Sequence, residues 1–402
     1  MSDRIQIFDT TLRDGEQTAG VAFSGAQKRE IAGALSALGV DVIEAGFPVN
    51  SAEEFAAVRG VAEAVQDTRI CALARAVPRD VEAAGEALRN AAAPRIHVFV
   101  NASDMQLALQ LGKTRENVIG MAAAMVERAR DFTDDVEFSP MDATRADPGF
   151  LMTLLRAATA AGARTLNLPD TVGVARPGQV ADLVRRVVRE VCEEASSETV
   201  VSFHGQDDLG LATANALAAV EAGARQLEVA VNGLGERSGN TSFEEVAIAL
   251  RIHGDAWDVH TGIDTTGICE LSRRVARASG VSVAVNKAVV GANAFRHASG
   301  IHQDGVLKER ATYEAYDPAW IGHATGTEIV LGKLSGRAGF AARAADLGHA
   351  LEGRALLRAF ERFQAEAATT RGAVPDGVIA RICGDDSLQR RSVTLRHAEE
   401  GA

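Results

Sequence analysis

An α/β barrel of eight strand–helix units, followed by an appended, mainly helical subdomain, is the fold this sequence predicts. Three observations lead there: eight short apolar runs, amphipathic stretches between them, and unusual polar residues at the ends of seven of the eight runs.

The apolar runs come first. They are Ile5–Phe8, Val42–Ala45, Ile70–Leu73, Ile96–Val100, Val136–Phe138, Thr165–Leu168, Val200–Phe203 and Leu227–Val231. Each has the length of a buried strand and is bounded by polar or glycine-containing segments. Between them, apolar residues recur at helical spacing: Ile31, Leu35 and Leu38 share one face, as do Val180, Leu183, Val184, Val187 and Val191, and Leu211, Ala214, Leu217 and Val220. Eight such units suit a closed TIM (β/α)8 barrel of roughly 250 residues, and 402 residues leave room for more. The alternative is an open doubly wound sheet. It usually carries a glycine-rich phosphate turn after its first strand, where this chain has DTTLRDGEQ. The alternation breaks down near Gly280, so the expected organisation is a barrel over 1–275, a linker and lid subdomain over 276–383, and a polar tail over 384–402.

Composition removes several functions. A formal net charge of -12 repels phosphate backbones and anionic lipid, so neither nucleic acid nor a membrane surface is an expected partner. No run of 18 uncharged apolar residues occurs, and the N-terminus enters a strand pattern at once, which argues against a spanning helix or signal peptide. Cys71, Cys192, Cys269 and Cys383 show no paired ligand spacing; reduced, buried thiols and a cytoplasmic location are expected.

Barrels of this kind carry their chemistry just beyond the C-terminal strand ends. There the chain places Arg13, Asp14 and Glu16 after the first run, Glu44 at the second, Arg75 after the third, Met141, Asp142 and Arg145 after the fifth, Asn167, Asp170 and Thr171 at the sixth, His204, Gln206, Asp207 and Asp208 at the seventh, and Asn232, Glu236, Arg237 and Asn240 after the eighth. Singly, an Asp before Gly is an ordinary turn residue and an Asp–Thr pair an ordinary cap. Gathered at one rim, they point to a mouth that binds an anion and a metal ion.

The motifs FDTTLRDGEQ, IEAGFP, VEFSPMDATRADP, NLPDTVG, FHGQDDLGLATAN, VNGLGERSGN and SGIHQDG occur in that order over residues 4 to 340. They resemble the 2-isopropylmalate synthase and homocitrate synthase family. The resemblance implies an acyltransferase that condenses acetyl-CoA with a 2-oxo acid and releases CoA. It implies a divalent metal held by Asp14 and His204, with Gln206 and Asn240 as further ligands. Arg13 would stabilise charge on the reacting oxygens and Thr171 would hold the substrate carboxylate; Glu44 joins the catalytic set, and Arg75, Arg145, Met141, Asn167 and Gln106 the substrate-binding set. His302 and Tyr313 match the positions of an acid–base pair that the family supplies from a partner subunit, which implies a homodimer whose C-terminal subdomain reaches the partner's active site. Only 37 residues follow position 365 (402 − 365), so a short form without the family's C-terminal regulatory domain is expected.

Two departures matter. Relatives commonly read His-x-His where this chain has His204-Gly205-Gln206, and Glu where it has Met141. Oxygen-rich ligands lean toward Mg²⁺ or Mn²⁺, with Co²⁺ and Zn²⁺ still open. The thioether of Met141 suits an apolar 2-oxo acid such as 2-oxoisovalerate; 2-oxoglutarate, phosphonopyruvate, phenylpyruvate and pyruvate stay open as alternatives. So do an acyl-CoA lyase on the same barrel and a catalytically weakened binding or regulatory relative.

Overall fold

The computed structural model describes residues 2–193 and 199–384, so nearly all of the expected polar tail lies outside the described residues. The chain forms two compact units, residues 1–283 with 288–290, and residues 284–287 with 291 onward.

The first unit is a closed parallel barrel. Its strands are β1 (Gln6–Asp9), β2 (Val42–Gly46), β3 (Arg69–Arg75), β4 (Pro94–Asn101), β5 (Val136–Met141), β6 (Thr165–Asp170), β7 (Val200–Gly205) and β8 (Gln226–Val229). β1 closes the ring by pairing with β2 at Phe8↔Val42 and with β8 at Gln6↔Gln226. The intervening helices begin where polar caps dictate: Ser24 accepts a bond from the amide of Gln27 at the start of helix Gly25–Ala37, and Ser51 caps Ala52–Ala64 through the amide of Glu54. Each helix buries an aliphatic stripe on the sheet, as with Val180, Val184 and Val187 of Pro177–Val187.

The barrel interior is polar as well as apolar. Arg95 on β4 donates to Glu137 Oε2 (2.9 Å) and Gln226 Oε1 (2.7 Å), and Gln226 Nε2 donates to Glu137 Oε1 (2.8 Å), a buried cross-barrel network. Its groups satisfy one another, as buried polar atoms must. Near the opposite end, the register of β2 against β3 shifts between Glu44 and Gly46. Gly46 (φ 155°) permits this, since a Cβ there would lie 1.9 Å from Glu54 Oε1. The shift sets the aim of Glu44.

Asp9, at the end of β1, is buried and accepts bonds from Thr11 N and Thr11 Oγ1, both at 3.0 Å. Burial pushes its carboxyl up to about 7 against those bonds. The folded chain therefore holds a proton that the unfolded chain releases near pH 4. The stability tied to this proton is complete below that value and is lost as pH rises through about 7. Thermal melts should show a midpoint that falls between about pH 4 and 7 and levels off above, and Asp9→Asn should make that fall shallower; an unchanged slope would remove Asp9 as a cause.

The second unit is mainly helical, with helices Gly300–Lys308, Arg337–Asp346, Gly353–Thr369 and Asp376–Cys383, and one short parallel pairing of Arg296–His297 with Glu328–Ile329. Its core is built on Phe340, Phe363, Leu331, Ile379 and Ile382. Phe340 and Phe363 pack with centroids 5.0 Å apart and rings tilted by 33°. The four cysteines are buried and free.

Candidate active site

A cavity of about 220 Å³ opens at the C-terminal rim of the barrel. It has three chemically distinct walls. The first is a ligand cluster. Asp14 follows β1, His204 lies on β7 and Gln206 directly follows it; Asn240, from the loop after β8, stands behind this wall and is joined to Gln206 by an isolated antiparallel bridge.

His204 Nδ1 stands 2.8 Å from Glu228 Oε2 on the neighbouring β8. Both groups are buried. A proton on Nδ1 directed at that carboxylate leaves the Nε2 lone pair facing Asp14 Oδ2 at 3.9 Å. Burial opposes charge on the imidazole, but the Glu228 contact outweighs it and raises the histidine above its ordinary value. Asp14 Oδ1 accepts from Asn240 Nδ2 (3.0 Å), whose second bond goes to Leu234 O (2.8 Å), so Asn240 Oδ1 is left as an acceptor. In the orientation that satisfies both ends of its amide, Gln206 Nε2 donates to Gly239 O (3.0 Å) and Glu236 O (3.2 Å). Its Oε1 then lies 3.3 Å from His204 Nε2 and 2.9 Å from Asn240 Oδ1.

With the His204 proton on Nδ1, lone pairs this close repel unless a cation lies between. Ligands about 2.1 Å from an octahedral ion stand roughly 3 Å apart, so these spacings fit a divalent metal. Deeper in the barrel, His97, Glu137 and Glu228 also approach within 4.8 Å, as do Glu44, Cys71 and His97. Both ring nitrogens of His97 are already engaged there, which marks these groups as hydrogen-bonded packing.

The second wall is the Arg13 group. Its guanidinium donates to Glu44 Oε2 through Nε (2.6 Å) and to Asp14 Oδ2 through Nη1 (2.6 Å). Burial would raise the Glu44 carboxyl, but Arg13, together with His97, holds it down at about 2. Burial likewise opposes ionisation of Asp14, and the charges of Arg13 and His204 reverse that and lower it. Glu44 does not line the cavity; it fixes the fork of Arg13, which does. Thr171, after β6, reaches the same cavity, and its Oγ1 accepts from Asp142 N (2.8 Å), leaving the hydroxyl proton free to point elsewhere.

The third wall is the pocket proper. Phe47, Leu73, Phe99, Met141 and Pro169 form an apolar side, and His97, Ser139 and Asn167 line it as polar groups. His97 Nδ1 is 2.8 Å from Glu44 Oε1, His97 Nε2 is 2.7 Å from Ser139 Oγ, and Asn167 Nδ2 donates to Ser139 Oγ at 2.9 Å. Of these residues the sequence signalled Met141, Asn167 and, within the NLPDTVG motif, Pro169. His97, Phe99 and Glu228 sit inside runs read as apolar strands, and the signal for them was the period-2 alternation Arg95, His97, Phe99, Asn101 along β4.

Three further barrel candidates from the sequence, besides Glu44 and Asn240, stand off this cavity. Arg75 is held by Asp80, with Nε to Oδ2 at 2.6 Å, and lies over the Phe47 ring at 5.5 Å. Arg145 donates to both oxygens of Asp142, at 2.8 and 2.6 Å. Gln106 is tied to Asn101. In the second unit, His302 and Tyr313 come together, with rings stacked at 19° and centroids 4.0 Å apart. Gly305 permits this, because a Cβ there would lie 2.5 Å from the Tyr313 ring.

The fold and site define a barrel of the HMGL-like class, and the family of that description matches residues 4–275, with a homocitrate synthase post-HMGL domain-like family matching 289–371. The chain is 50% identical over 372 residues to the 2-isopropylmalate synthase of Pyrococcus furiosus, covering 92% of this chain and 74% of that one. It is 47% identical over 405 residues to the 2-isopropylmalate synthase of Gloeothece citriformis, covering 97% and 75%. The solved hydroxymethylglutaryl-CoA lyase of Pseudomonas aeruginosa shares the fold, with a TM-score of 0.58, 23% identity, and coverage of 70% of this chain and 95% of that one. This chain is an enzyme that belongs to the 2-isopropylmalate synthase family.

Proposed function

We propose that the enzyme condenses acetyl-CoA with an apolar 2-oxo acid, 2-oxoisovalerate first among them, and releases CoA. The observation that carries the choice of acid is the wall of Phe47, Leu73, Phe99, Met141 and Pro169. The cavity's cations are already committed, Arg13 to Glu44 and Asp14 and Arg237 to Asp208. A second carboxylate on the substrate would be buried beside that wall without a partner, which is costly.

Asp14, His204, Gln206 and Asn240 would hold a divalent metal, and their oxygen-rich set favours Mg²⁺ or Mn²⁺ over Co²⁺ or Zn²⁺. When bound, the ion polarises the 2-oxo carbonyl and offsets the charge that develops on its oxygen. Arg13 adds two fixed donors to that charge, and the Thr171 hydroxyl donates to the substrate carboxylate. Asn167 shapes the pocket floor through Ser139. Arg75 and Arg145, held by their own carboxylates, support the rim loops. His302 with Tyr313 takes a proton from the acetyl methyl. We place that pair in the site of a second subunit, in a homodimer; the exposure of Val174 (46%) and Leu209 (61%) after β6 and β7 supports a covered mouth. The enzyme belongs in the cytoplasm, in keeping with its free thiols and with the absence, among the described residues, of any helix long and apolar enough to cross a membrane.

Thiol release from acetyl-CoA, measured across a panel of 2-oxo acids with Mg²⁺, Mn²⁺, Co²⁺ and Zn²⁺, tests this. Release is expected with 2-oxoisovalerate and Mg²⁺ or Mn²⁺. Preferred turnover of 2-oxoglutarate would overturn the apolar reading, and cleavage of an acyl-CoA without condensation would make the enzyme a lyase.

A further inference from the structure

The segment after β4 has a construction that the oxo-acid site does not use. A single turn, Asp104–Gln106, passes into a π-helical turn, Leu107–Leu111, which ends at Gly112 in the left-handed region (φ 58°). Such wide turns distort an α-helix and recur at functional positions. Here the distortion brings two glutamines to one anchor. Asn101 Nδ2 donates to Gln106 Oε1 (3.0 Å) and to Gln110 Oε1 (2.7 Å). Both side-chain carbonyls are thereby spent. Each amide NH₂ is turned away from Asn101, and neither has a partner among the described residues.

The apolar half of the segment is just as unusual. Met105 is 61% exposed and Leu109 80% exposed. Large apolar side chains in that state mark a contact surface. Lys113 follows, exposed and with no ion-pair partner among the described residues. The anchor is adjacent to the chemistry, since Phe99, two residues before Asn101 on the same strand, lines the cavity.

We propose that this segment binds the pantetheine arm of the acyl-CoA, with Gln106 and Gln110 donating to the two amide carbonyls of the arm and Met105 and Leu109 covering its aliphatic stretches. The assignment rests on the condensation reading above. An acyl-CoA arm alternates amide and methylene groups and must cross the barrel rim for its thioester to reach the cavity. Fixed amide donors beside apolar side chains complement that alternation, and Asn101 removes most of the cost of ordering two flexible glutamines. Lys113 stands where the anionic end of the same molecule continues outward.

The test is the Gln106→Leu, Gln110→Leu double variant, which keeps side-chain size and removes only the donors. The KM for acetyl-CoA should rise by about tenfold or more, the loss of two net hydrogen bonds, with the KM for the 2-oxo acid holding at its wild-type value. Calorimetric titration with CoA alone should weaken by the same factor. The loss should persist with S-acetylpantetheine, which retains both amides. An unchanged KM for acetyl-CoA overturns the assignment, as does a loss confined to acetyl-CoA, which would put the contact on the nucleotide. Sedimentation showing a dissociated oligomer with unaltered CoA binding also overturns it, by making the segment a subunit contact. Failure of the wild-type enzyme to release thiol with any 2-oxo acid would instead end the condensation reading, and the CoA titration would still report on the segment.

Discussion

Asp14→Ala is expected to abolish divalent-metal binding and to lower thiol release by roughly 10³-fold or more, because a bound cation contributes several kcal/mol to charge stabilisation in a carbonyl addition. Asp14 is the one full negative charge in the ligand cluster. The remaining members, His204, Gln206 and Asn240, offer neutral lone pairs, which bind a hard cation weakly without a carboxylate. Asp14→Asn separates charge from shape: its side-chain oxygen can still accept from Asn240 Nδ2, as Asp14 Oδ1 does at 3.0 Å, so the loop after β8 stays in place. Binding of Mn²⁺ followed by electron paramagnetic resonance should fail for both variants, while their melting temperatures without metal stay close to the parent. Normal turnover in Asp14→Ala would refute the role.

Much of this site could be read before any coordinates, for a reason specific to barrels. The strand boundaries fall within three residues of the apolar runs, and a parallel barrel sends every strand end to one rim. Spacing alone therefore placed Asp14, His204, Gln206 and Asn240 in one region. Spacing could not say which rim side chains turn inward. Arg75 and Arg145 follow strands as Arg13 does, yet Asp80 and Asp142, five and three residues away, capture them locally. Arg13 is captured as well, but by Glu44, 31 residues away on the next strand, and that long-range pair holds it at the cavity. Glu44 itself is set by a register shift at Gly46, a backbone event with no pattern in composition. The floor was hidden for a different reason. Ile96, Val98 and Val100 dominate β4, and the inward alternation of Arg95, His97 and Phe99 is visible only once one face is known to be an interior.

His302→Ala is expected to retain 2-oxo acid binding and to lose condensation by about 10²- to 10⁴-fold, the range a positioned general base supplies. The ring is built into a device of its own unit: it stacks on Tyr313 at 4.0 Å, and the glycine at 305 admits the phenol close to its helix. Beside it, His297 Nε2 lies 3.2 Å from Glu314 Oε1. Burial would raise that glutamate, but bonds from Thr327, Arg310 and His297 hold it below the ordinary carboxylate range. Glu314 is thus a fixed anion that organises the segment next to Tyr313 and is not itself a proton acceptor near neutral pH. A base role for His302 then predicts a split that a structural role would not give. Calorimetry with 2-oxoisovalerate and Mn²⁺ should match the parent, the melting temperature should hold, and exchange of the acetyl methyl protons with deuterated solvent should collapse together with thiol release. Tyr313→Phe should retain more activity than His302→Ala, since it keeps the stacked ring and removes only the hydroxyl. An unchanged rate in His302→Ala would remove the residue from the mechanism. Loss of 2-oxo acid binding in that variant would make it a structural support for the site.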